Sequence, residues 1–195
     1  DLQNNTNRLS AFIKLAKSNN TWICPTLIIY KRKSEFAENE FYIHSLYTDL
    51  DNDLKNEWEQ VKKKRQSKVL TEGEVLRSKE RYENQRKLVK NFYDNGVPLL
   101  LGTDFAGMQF IYPGYSFHEE MALLQSIGIP PFEILKMATL NPTLFFGISK
   151  LYGTVEENKM ADLIILNENP IVDIKNTLKI STVLKAGKIV KKCTK

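Results

Sequence analysis

Asp104 is the residue whose type and position in this sequence best suit chemistry. It follows the apolar run 97–101, from which only Gly102 and Thr103 separate it. A continuous apolar run is typical of a parallel strand buried on both faces, and catalytic groups gather just beyond the carboxyl ends of such strands. The run therefore predicts a buried strand that delivers one carboxylate to a site. These residues leave open the alternative that Asp104 caps the following turn, as aspartate often does.

Few other side chains could act as metal ligands or nucleophiles. The chain has 2 histidines, His44 and His118, and 2 cysteines that lie far apart, Cys24 and Cys193. Such cysteines predict neither a disulfide framework nor a zinc motif, and Cys24 is expected to be a small buried core residue. His44 stands alone in a charged, aromatic segment. His118 opens a predicted helix before two glutamates, which the dipole of a helix N-terminus favours.

The elements next to Asp104 follow from the spacing of apolar residues. Helical spacing predicts an amphipathic helix over 8–16, and the apolar segment 21–27 predicts a buried strand. A helix that ends at Asn95-Gly96, where glycine suits a left-handed cap, leads directly into the strand at 97–101. We expect Gly102 to let the backbone turn or approach a neighbour, and Thr103 to hydrogen-bond locally and hold the Asp104 carboxylate.

Residues 31–91 are polar and charged, which favours helices over about 53–68 and 73–93. Between them and the first strand, 36–50 is predicted to be an aromatic loop that covers either the site or ordinary protein surface. The remaining predictions are helices over 117–127 and 131–139 and strands over 161–166, 180–185 and 188–192.

Short motifs follow Asp104 in a fixed order. They are Ala-Thr-Leu-Asn-Pro at 138–142, Gly-Thr-Val-Glu at 153–156, Lys-Met-Ala-Asp-Leu-Ile-Ile-Leu at 159–166, Asn-Pro at 169–170 and Val-Leu-Lys-Ala-Gly-Lys at 183–188. With Gly-Thr-Asp at 102–104, the series resembles the carboxyl-terminal part of the amidohydrolase superfamily, in the branch of imidazolonepropionase and the metal-dependent Xaa-Pro and Xaa-Arg dipeptidases. The resemblance covers 87–192, is weaker over 11–30, and leaves 31–86 uncovered.

The resemblance implies an α/β fold, namely the carboxyl-terminal part of a (β/α)8 metal-dependent hydrolase barrel plus part of an accessory β-sandwich. Residues 1–148 would form a partial barrel with its last two strands and a helical insertion at 31–91. Residues 149–195 would supply sandwich strands, within which Asp162 is expected to be structural. At 195 residues the chain is shorter than the roughly 250 of a complete barrel. We therefore expect a fragment of a longer enzyme.

The resemblance also implies a divalent metal, with zinc expected, in a mono- or dinuclear site. Asp104 would be its last ligand, would take a proton from the attacking water and would pass it to the leaving group. A catalytic zinc needs at least three protein ligands. The histidines and the lysine that supply them in the family have no counterpart here, so the other ligands are expected outside this chain.

The function that the resemblance implies is hydrolysis of a carbon–nitrogen bond in a cyclic amide or a small dipeptide. His118, Tyr30 and Thr26 are candidate substrate-binding residues, with helix-start placement for His118 and packing in the pocket wall for the other two as alternatives. A different class of function stays open, in which the chain is a non-catalytic remnant or a subunit that completes a barrel with another chain. In either case the missing amino-terminal part, or another subunit, would be its partner.

The composition disfavours two further classes of partner. The net charge of +5 comes from 28 basic and 23 acidic side chains, a balance that is common on solvated helices. Basic residues are not interleaved with aromatic residues in a nucleic-acid-binding module, so no nucleic-acid partner is expected. No apolar stretch approaches the roughly 20 residues that cross a bilayer, so no membrane partner is expected.

Overall fold

Helices dominate the computed structural model, which describes residues 2–38, 40–41, 43–105 and 107–192, with side chains from residue 7 onward. The α-helices are α1 (Leu2–Ser18), α2 (Leu27–Ala37), α3 (Asn52–Gln66), α4 (Glu72–Asp94), α5 (Tyr115–Ser126), α6 (Pro131–Ala138) and α7 (Leu140–Phe145). Two 3-10 helices span Ser45–Asp49 and Ile174–Leu178. The strands are β1 (Leu163–Leu166), β2 (Ile180–Lys185) and β3 (Lys188–Lys192).

The two predicted barrel segments lie side by side in parallel. Ile23 forms a parallel bridge with Leu99, in which the Ile23 N–H donates to the Pro98 carbonyl at 3.0 Å and the Leu100 N–H donates to the Ile23 carbonyl at 2.9 Å. The paired region is shorter than the predicted strands at 21–27 and 97–101. Leu27 is not a strand residue but the first residue of α2, because the chain turns through a left-handed Thr26 just before it.

Helices cover one face of this parallel pair. Alternate residues Val97, Leu99 and Leu101 are buried in the main core. The helical residues that surround them are Ile13 and Ala16 of α1, Val89 and Phe92 of α4, Met121 and Leu124 of α5, and Ile134 and Met137 of α6. On the other face Leu100 is half-buried and Cys24 is exposed. The apolar run is therefore buried on one face only, and the expectation that Cys24 is a core residue is wrong.

A second hydrophobic cluster, which we call the aromatic cluster, joins α2 and α3 to the loop after Asp104. Its buried members are Ile28, Phe36, Trp58, Met108, Phe110, Ile111 and Tyr112. The Trp58 ring of α3 lies 4.9 Å from the Phe110 ring and meets the Tyr112 ring edge-on at 5.1 Å between centroids. The helices predicted over about 53–68 and 73–93 are confirmed as α3 and α4, and part of the aromatic segment 36–50 packs on this loop.

The helix-to-strand turn before Asp104 has the predicted left-handed glycine. Gly96 has φ +70°. Its N–H donates to the Tyr93 carbonyl at 2.9 Å, and the Val97 N–H donates to the Phe92 carbonyl at 3.0 Å. This pairing ends α4 and starts the strand within two residues. It fixes where the run toward Asp104 begins.

The carboxyl-terminal strands form a single antiparallel sheet in the order β1-β2-β3. Asp162 supports its hairpin, because one carboxylate oxygen accepts the Ala186 N–H at 2.7 Å and the other accepts Lys185 Nζ at 2.6 Å. This geometry agrees with the structural role expected of Asp162. The part of the chain that the structure describes shows three strands here and not a sandwich. None of its helices combines the length and apolar character of a membrane span.

Candidate active site

Asp104 lies at the carboxyl end of the parallel pair with its side chain exposed. Its backbone is left-handed, with φ +51°, and its carbonyl accepts the Gly107 N–H at 2.9 Å. The Asp104 carboxylate lies against Gly107, since a Cβ at that position would be 2.6 Å from Asp104 Oδ2. Left-handed backbone at a residue other than glycine is uncommon and concentrates at functional sites. The Asp104 side chain is thus presented to solvent by a tight turn.

The expected support of Asp104 by Thr103 is not observed. Among the described residues the Thr103 hydroxyl makes no hydrogen bond. Two glycines make close approaches instead, because a Cβ on Gly102 would lie 2.7 Å from Cys24 Sγ and one on Gly107 would meet Asp104. Gly102 therefore allows the neighbouring segment to come close, as predicted.

Cys24 shares this end of the pair with two carboxylates. Cys24 is exposed as a residue, but its sulfur lies against Gly102, and this partial burial raises the pKa of the thiol; the negative charges of Glu120 and Asp104 raise it further. A raised pKa keeps the sulfur protonated near neutral pH, and the thiolate is the nucleophilic form. Cys24 is therefore unsuited to act as a nucleophile here.

Glu120 of α5 caps the N-terminus of α2. The Leu27 N–H donates to its Oε1 at 2.8 Å, and the Ile28 N–H donates to its Oε2 at 2.7 Å. Thr26, the residue before the helix, makes no side-chain capping bond, so the buried carboxylate satisfies N–H groups that a helix start leaves unpaired. Burial raises the pKa of Glu120 to about 7, although both N–H bonds lower it.

Arg32 of α2 lies at the centre of a buried ion cluster. Its side chain is fully buried, and Nη2 donates to both carboxylate oxygens of Glu119 at 2.7 and 2.8 Å. Nη1 donates to Glu35 at 2.9 Å, and Nε donates to the Phe110 carbonyl at 2.8 Å. Glu119 is thus a half-buried partner of α2, and Glu120 is a fully buried one. Because α5 begins at Tyr115 and has no acidic residue in its first turn, the expected interaction of these glutamates with the dipole of the helix start is not found.

The candidate substrate-binding residues lie in three different settings. His118 Nδ1 is 2.8 Å from the Thr177 hydroxyl, which itself donates to the Ile174 carbonyl at 2.7 Å. Because that hydroxyl uses its only proton, His118 Nδ1 must be the donor of the pair. Tyr30 lies on α2 rather than at a strand end, and it lines a cavity of about 630 Å³ with residues of α4 but not with Asp104. Of the three residues, Thr26 lies nearest in sequence to the parallel pairing at Ile23, directly before α2.

His44 packs on the loop between Asp104 and α5, and it is not part of a cluster of metal ligands among the described residues. Its ring stacks on Tyr115 at 3.8 Å between centroids. Its Nδ1 accepts the Leu46 N–H at 3.2 Å, and its backbone N–H donates to the Tyr112 hydroxyl at 2.9 Å.

Burial lowers the pKa of the His118 imidazole.

A divalent metal does not fit the described residues of this chain alone. No group of three or more His, Cys, Asp or Glu side chains comes together within the described ranges. A catalytic zinc requires three protein ligands, and an isolated exposed carboxylate such as Asp104 supplies one.

Sequence reasoning missed Arg32, Glu119, Glu120 and Gly107. Arg32 stands between two other basic residues, so its type gives no sign that it is buried. The adjacent glutamates do carry a signal, because they directly precede the apolar stretch Met121–Leu124 of the helix. Gly107 lies in a segment rich in glycine and aromatic residues, where its contact with Asp104 cannot be inferred from spacing.

A parallel pair of segments backed by helices, with a carboxylate at its carboxyl end, is consistent with part of an α/β barrel. The sequence model of the Amidohydrolase family matches residues 34–190, and the chain belongs to this family.

The chain is also similar to parts of three further proteins. The imidazolonepropionase of Thermoplasma volcanium is 31% identical over 94 residues, 48% of this chain and 23% of that protein. The ochratoxinase of Aspergillus niger is 37% identical over 101 residues, 49% of this chain and 20% of its own length. The crystal structure of a Xaa-Pro dipeptidase with bound methionine in the active site matches 92% of this chain and 36% of that one, with TM-score 0.62 and 22% identity.

The solved structure shows a shared fold, whereas the chain spans only about a quarter of the length of the curated relatives. The curated relatives match about half to two thirds of this chain. Their reactions belong to those whole proteins.

Proposed function

We propose that the protein containing this chain hydrolyses a carbon–nitrogen bond in a cyclic amide or a small dipeptide, with Asp104 as the proton-transfer group. The observation that carries the proposal is the exposed Asp104 carboxylate at the carboxyl end of a parallel pair, in a chain of the amidohydrolase family. The names of its relatives, imidazolonepropionase, ochratoxinase and a Xaa-Pro dipeptidase, support this substrate class.

Asp104 suits proton transfer because its carboxylate is exposed, yet its backbone is fixed by the turn to Gly107. Water attacks the carbonyl carbon while the carboxylate accepts one of the water protons. The carbon–nitrogen bond then breaks as the nitrogen takes up that proton, which yields a carboxylic acid and an amine. His118, Thr26 and Tyr30 remain candidates for substrate contact.

Proteins of the family generally bind divalent metals, and zinc in a mono- or dinuclear site is the expected cofactor here. Asp104 would be one of its ligands. The other ligands would have to come from outside the described residues, so no step above depends on a metal.

The test is hydrolysis by the full protein that contains this chain. The purified protein, with its metal content measured, is incubated with Xaa-Pro and Xaa-Arg dipeptides and with cyclic ureides and lactams. We expect cleavage of the carbon–nitrogen bond in at least one of these substrates, detected as a free amino acid from a dipeptide or as the ring-opened acid from a cyclic substrate. A folded protein with bound metal that hydrolyses none of them would contradict the proposal.

A second candidate function rests on the parallel pair of segments, which helices cover on one face only. Leu100 is half-buried and Cys24 exposed on the face opposite the helices, so a further part of a barrel, from the same enzyme or another subunit, would bury it. In this case the chain completes a barrel without catalysing a reaction. Sizing and co-purification distinguish the two, because a stable monomer that hydrolyses an amide excludes a purely structural role.

A further inference from the structure

The loop between Asp104 and α5 is held in place by Arg32. The Phe110 carbonyl accepts a hydrogen bond from Arg32 Nε at 2.8 Å. Arg32 is fully buried and is fixed in turn by Glu119 and Glu35. A buried guanidinium with a planar set of donors keeps one orientation when all its partners are in place. The peptide after Phe110 is therefore fixed in direction as well as position.

Phe110 needs such support, because its backbone is left-handed with φ +62°. Its ring is buried against Trp58 and Phe36 of the aromatic cluster. A bulky residue keeps a left-handed conformation only where its surroundings impose it. The ring contacts and the bond from Arg32 together impose it here.

Glu119 fixes the next part of the loop through Ser116. The Ser116 hydroxyl donates to Glu119 Oε2 at 2.7 Å and accepts the Tyr112 N–H at 2.9 Å. Arg32 and Glu119, which bind each other, thus each fix one backbone group of the loop. A change to either side of this ion pair affects both groups.

The loop is short enough to carry this constraint to Asp104. Gly107 contacts the Asp104 carboxylate and donates its N–H to the Asp104 carbonyl, and Met108 is already buried in the aromatic cluster. A shift of Phe110 therefore changes where Gly107 lies, and Gly107 limits where the carboxylate can go.

We propose that Arg32 is a positioning residue that, together with Glu119, sets the loop at 107–115 and through it the orientation of the Asp104 carboxylate. Its effect on turnover rests on the proposed function. Arg32 does not need to touch substrate, because it acts only through the loop.

The test compares Arg32→Met, Arg32→Lys and Glu119→Gln with the control Lys31→Met in the full protein. Lys31 is the neighbouring cation on α2 and pairs with Glu35 nearer the surface at 3.1 Å. The first readout is hydrogen exchange of a peptide spanning 107–115, with α4 as the internal reference. We expect exchange of the loop to accelerate about tenfold or more in Arg32→Met, less in Arg32→Lys and Glu119→Gln, and not in Lys31→Met.

The second readout separates positioning from binding. We expect Arg32→Met to lower kcat on the substrate found above by about 10²-fold, with KM changed less than about threefold. Arg32→Lys keeps the charge but loses the paired donors, so it should restore part of kcat. If Arg32→Met does not fold, Glu119→Gln, which keeps the volume of the side chain, provides both readouts.

Equal acceleration of the loop and α4, or unchanged exchange, would overturn the proposal, because Arg32 would then stabilise the whole fold or hold nothing. Faster loop exchange with unchanged kcat would overturn the link to Asp104. A wild-type protein without turnover contradicts the proposed function and not the loop constraint, which the exchange comparison decides by itself.

Discussion

The carboxylate of Asp104 packs against position 107, where the chain has a glycine. A Cβ there would also lie 2.8 Å from Asp104 Cγ and 3.0 Å from its carbonyl oxygen. Two of these three atoms belong to the side chain that we propose to transfer the proton. The absence of a side chain at Gly107 therefore matters for the carboxylate more than for the fold.

Gly107→Ala should lower activity without unfolding the protein. The backbone of Gly107 is not among the left-handed positions, so alanine can adopt its conformation, but the added methyl group must displace the Asp104 carboxylate and press on the Asp104 carbonyl oxygen. We expect kcat to fall about 10- to 100-fold, since small misplacements of a reacting group are costly, and Tm to change by less than about 4 °C.

Gly73→Ala is the matched control for this substitution. A Cβ on Gly73 would meet only the end of the flexible Arg77 side chain, at 3.5 Å. Its turnover should equal that of the wild type in the same assay. Full activity in Gly107→Ala would show that the close contact with Asp104 has no catalytic consequence.

At the scale of elements, the junction between α2 and α5 depends on one buried carboxylate. Glu120 takes the place of a capping side chain at residue 26 and joins the start of α2 to the helix that follows the Asp104 loop. Two backbone donors favour the charged form of Glu120, whereas its complete burial disfavours it. Burial has the larger effect and raises the pKa to about 7.

This pKa predicts how stability changes with pH. Because the folded-state pKa lies above the ordinary value of 4.5, folded Glu120 keeps a proton that the unfolded chain releases as the pH rises above about 4.5. Its contribution to stability is complete below about pH 4.5 and is lost as the pH rises through about 7. The loss should amount to about 3 kcal/mol of unfolding free energy.

Urea denaturation of the wild type and Glu120→Gln between pH 4.5 and 8 checks this prediction. The difference in unfolding free energy between the two should change across that range, because glutamine does not titrate. Glu133→Gln, which removes a surface ion pair with Lys136, should keep the wild-type pH dependence. Parallel curves for the wild type and Glu120→Gln would contradict the prediction.

Local signals explain which elements could be predicted. Some signals determine the structure of residues only a few positions away. They are the charged segments that form α3 and α4, Pro131 at a helix start and Gly96 at a helix end, and the corresponding helices were found where expected. The bond from Arg32 to Phe110 and the bonds from Glu120 to α2 join residues more than 75 positions apart. Contacts at such separations leave no periodicity in the sequence.

The same distinction holds for the candidate site. Asp104 could be predicted because it follows an apolar run. The predicted support from Thr103 is not found, and the contacts of Gly107 and Arg32 that bear on Asp104 were not predicted. Strand length was overestimated at 21–27, because the left-handed turn at Thr26 and the capping by Glu120 start α2 earlier than apolar character suggests.

At the scale of the whole molecule, two surfaces leave apolar residues partly or largely uncovered. One is the face of the parallel pair opposite the helices, and the other is the sheet, where adjacent residues Ile164 and Ile165 of β1 are both about half exposed. Adjacent strand residues point to opposite faces, so neither face of the sheet is fully covered. Both surfaces are consistent with further parts of an amidohydrolase packing on this chain.

The proposed reaction depends on Asp104 as the proton-transfer group. The most direct measurement is the turnover of Asp104→Asn in the full protein, on the substrate that the wild type hydrolyses, with Asp53→Asn as a control for loss of an exposed carboxylate in α3. Asparagine keeps the shape of the side chain but cannot accept the proton from water. We predict that kcat falls by about 10²- to 10⁴-fold in Asp104→Asn, while Asp53→Asn is unchanged and both variants unfold like the wild type. Wild-type turnover in a folded Asp104→Asn protein would contradict the account.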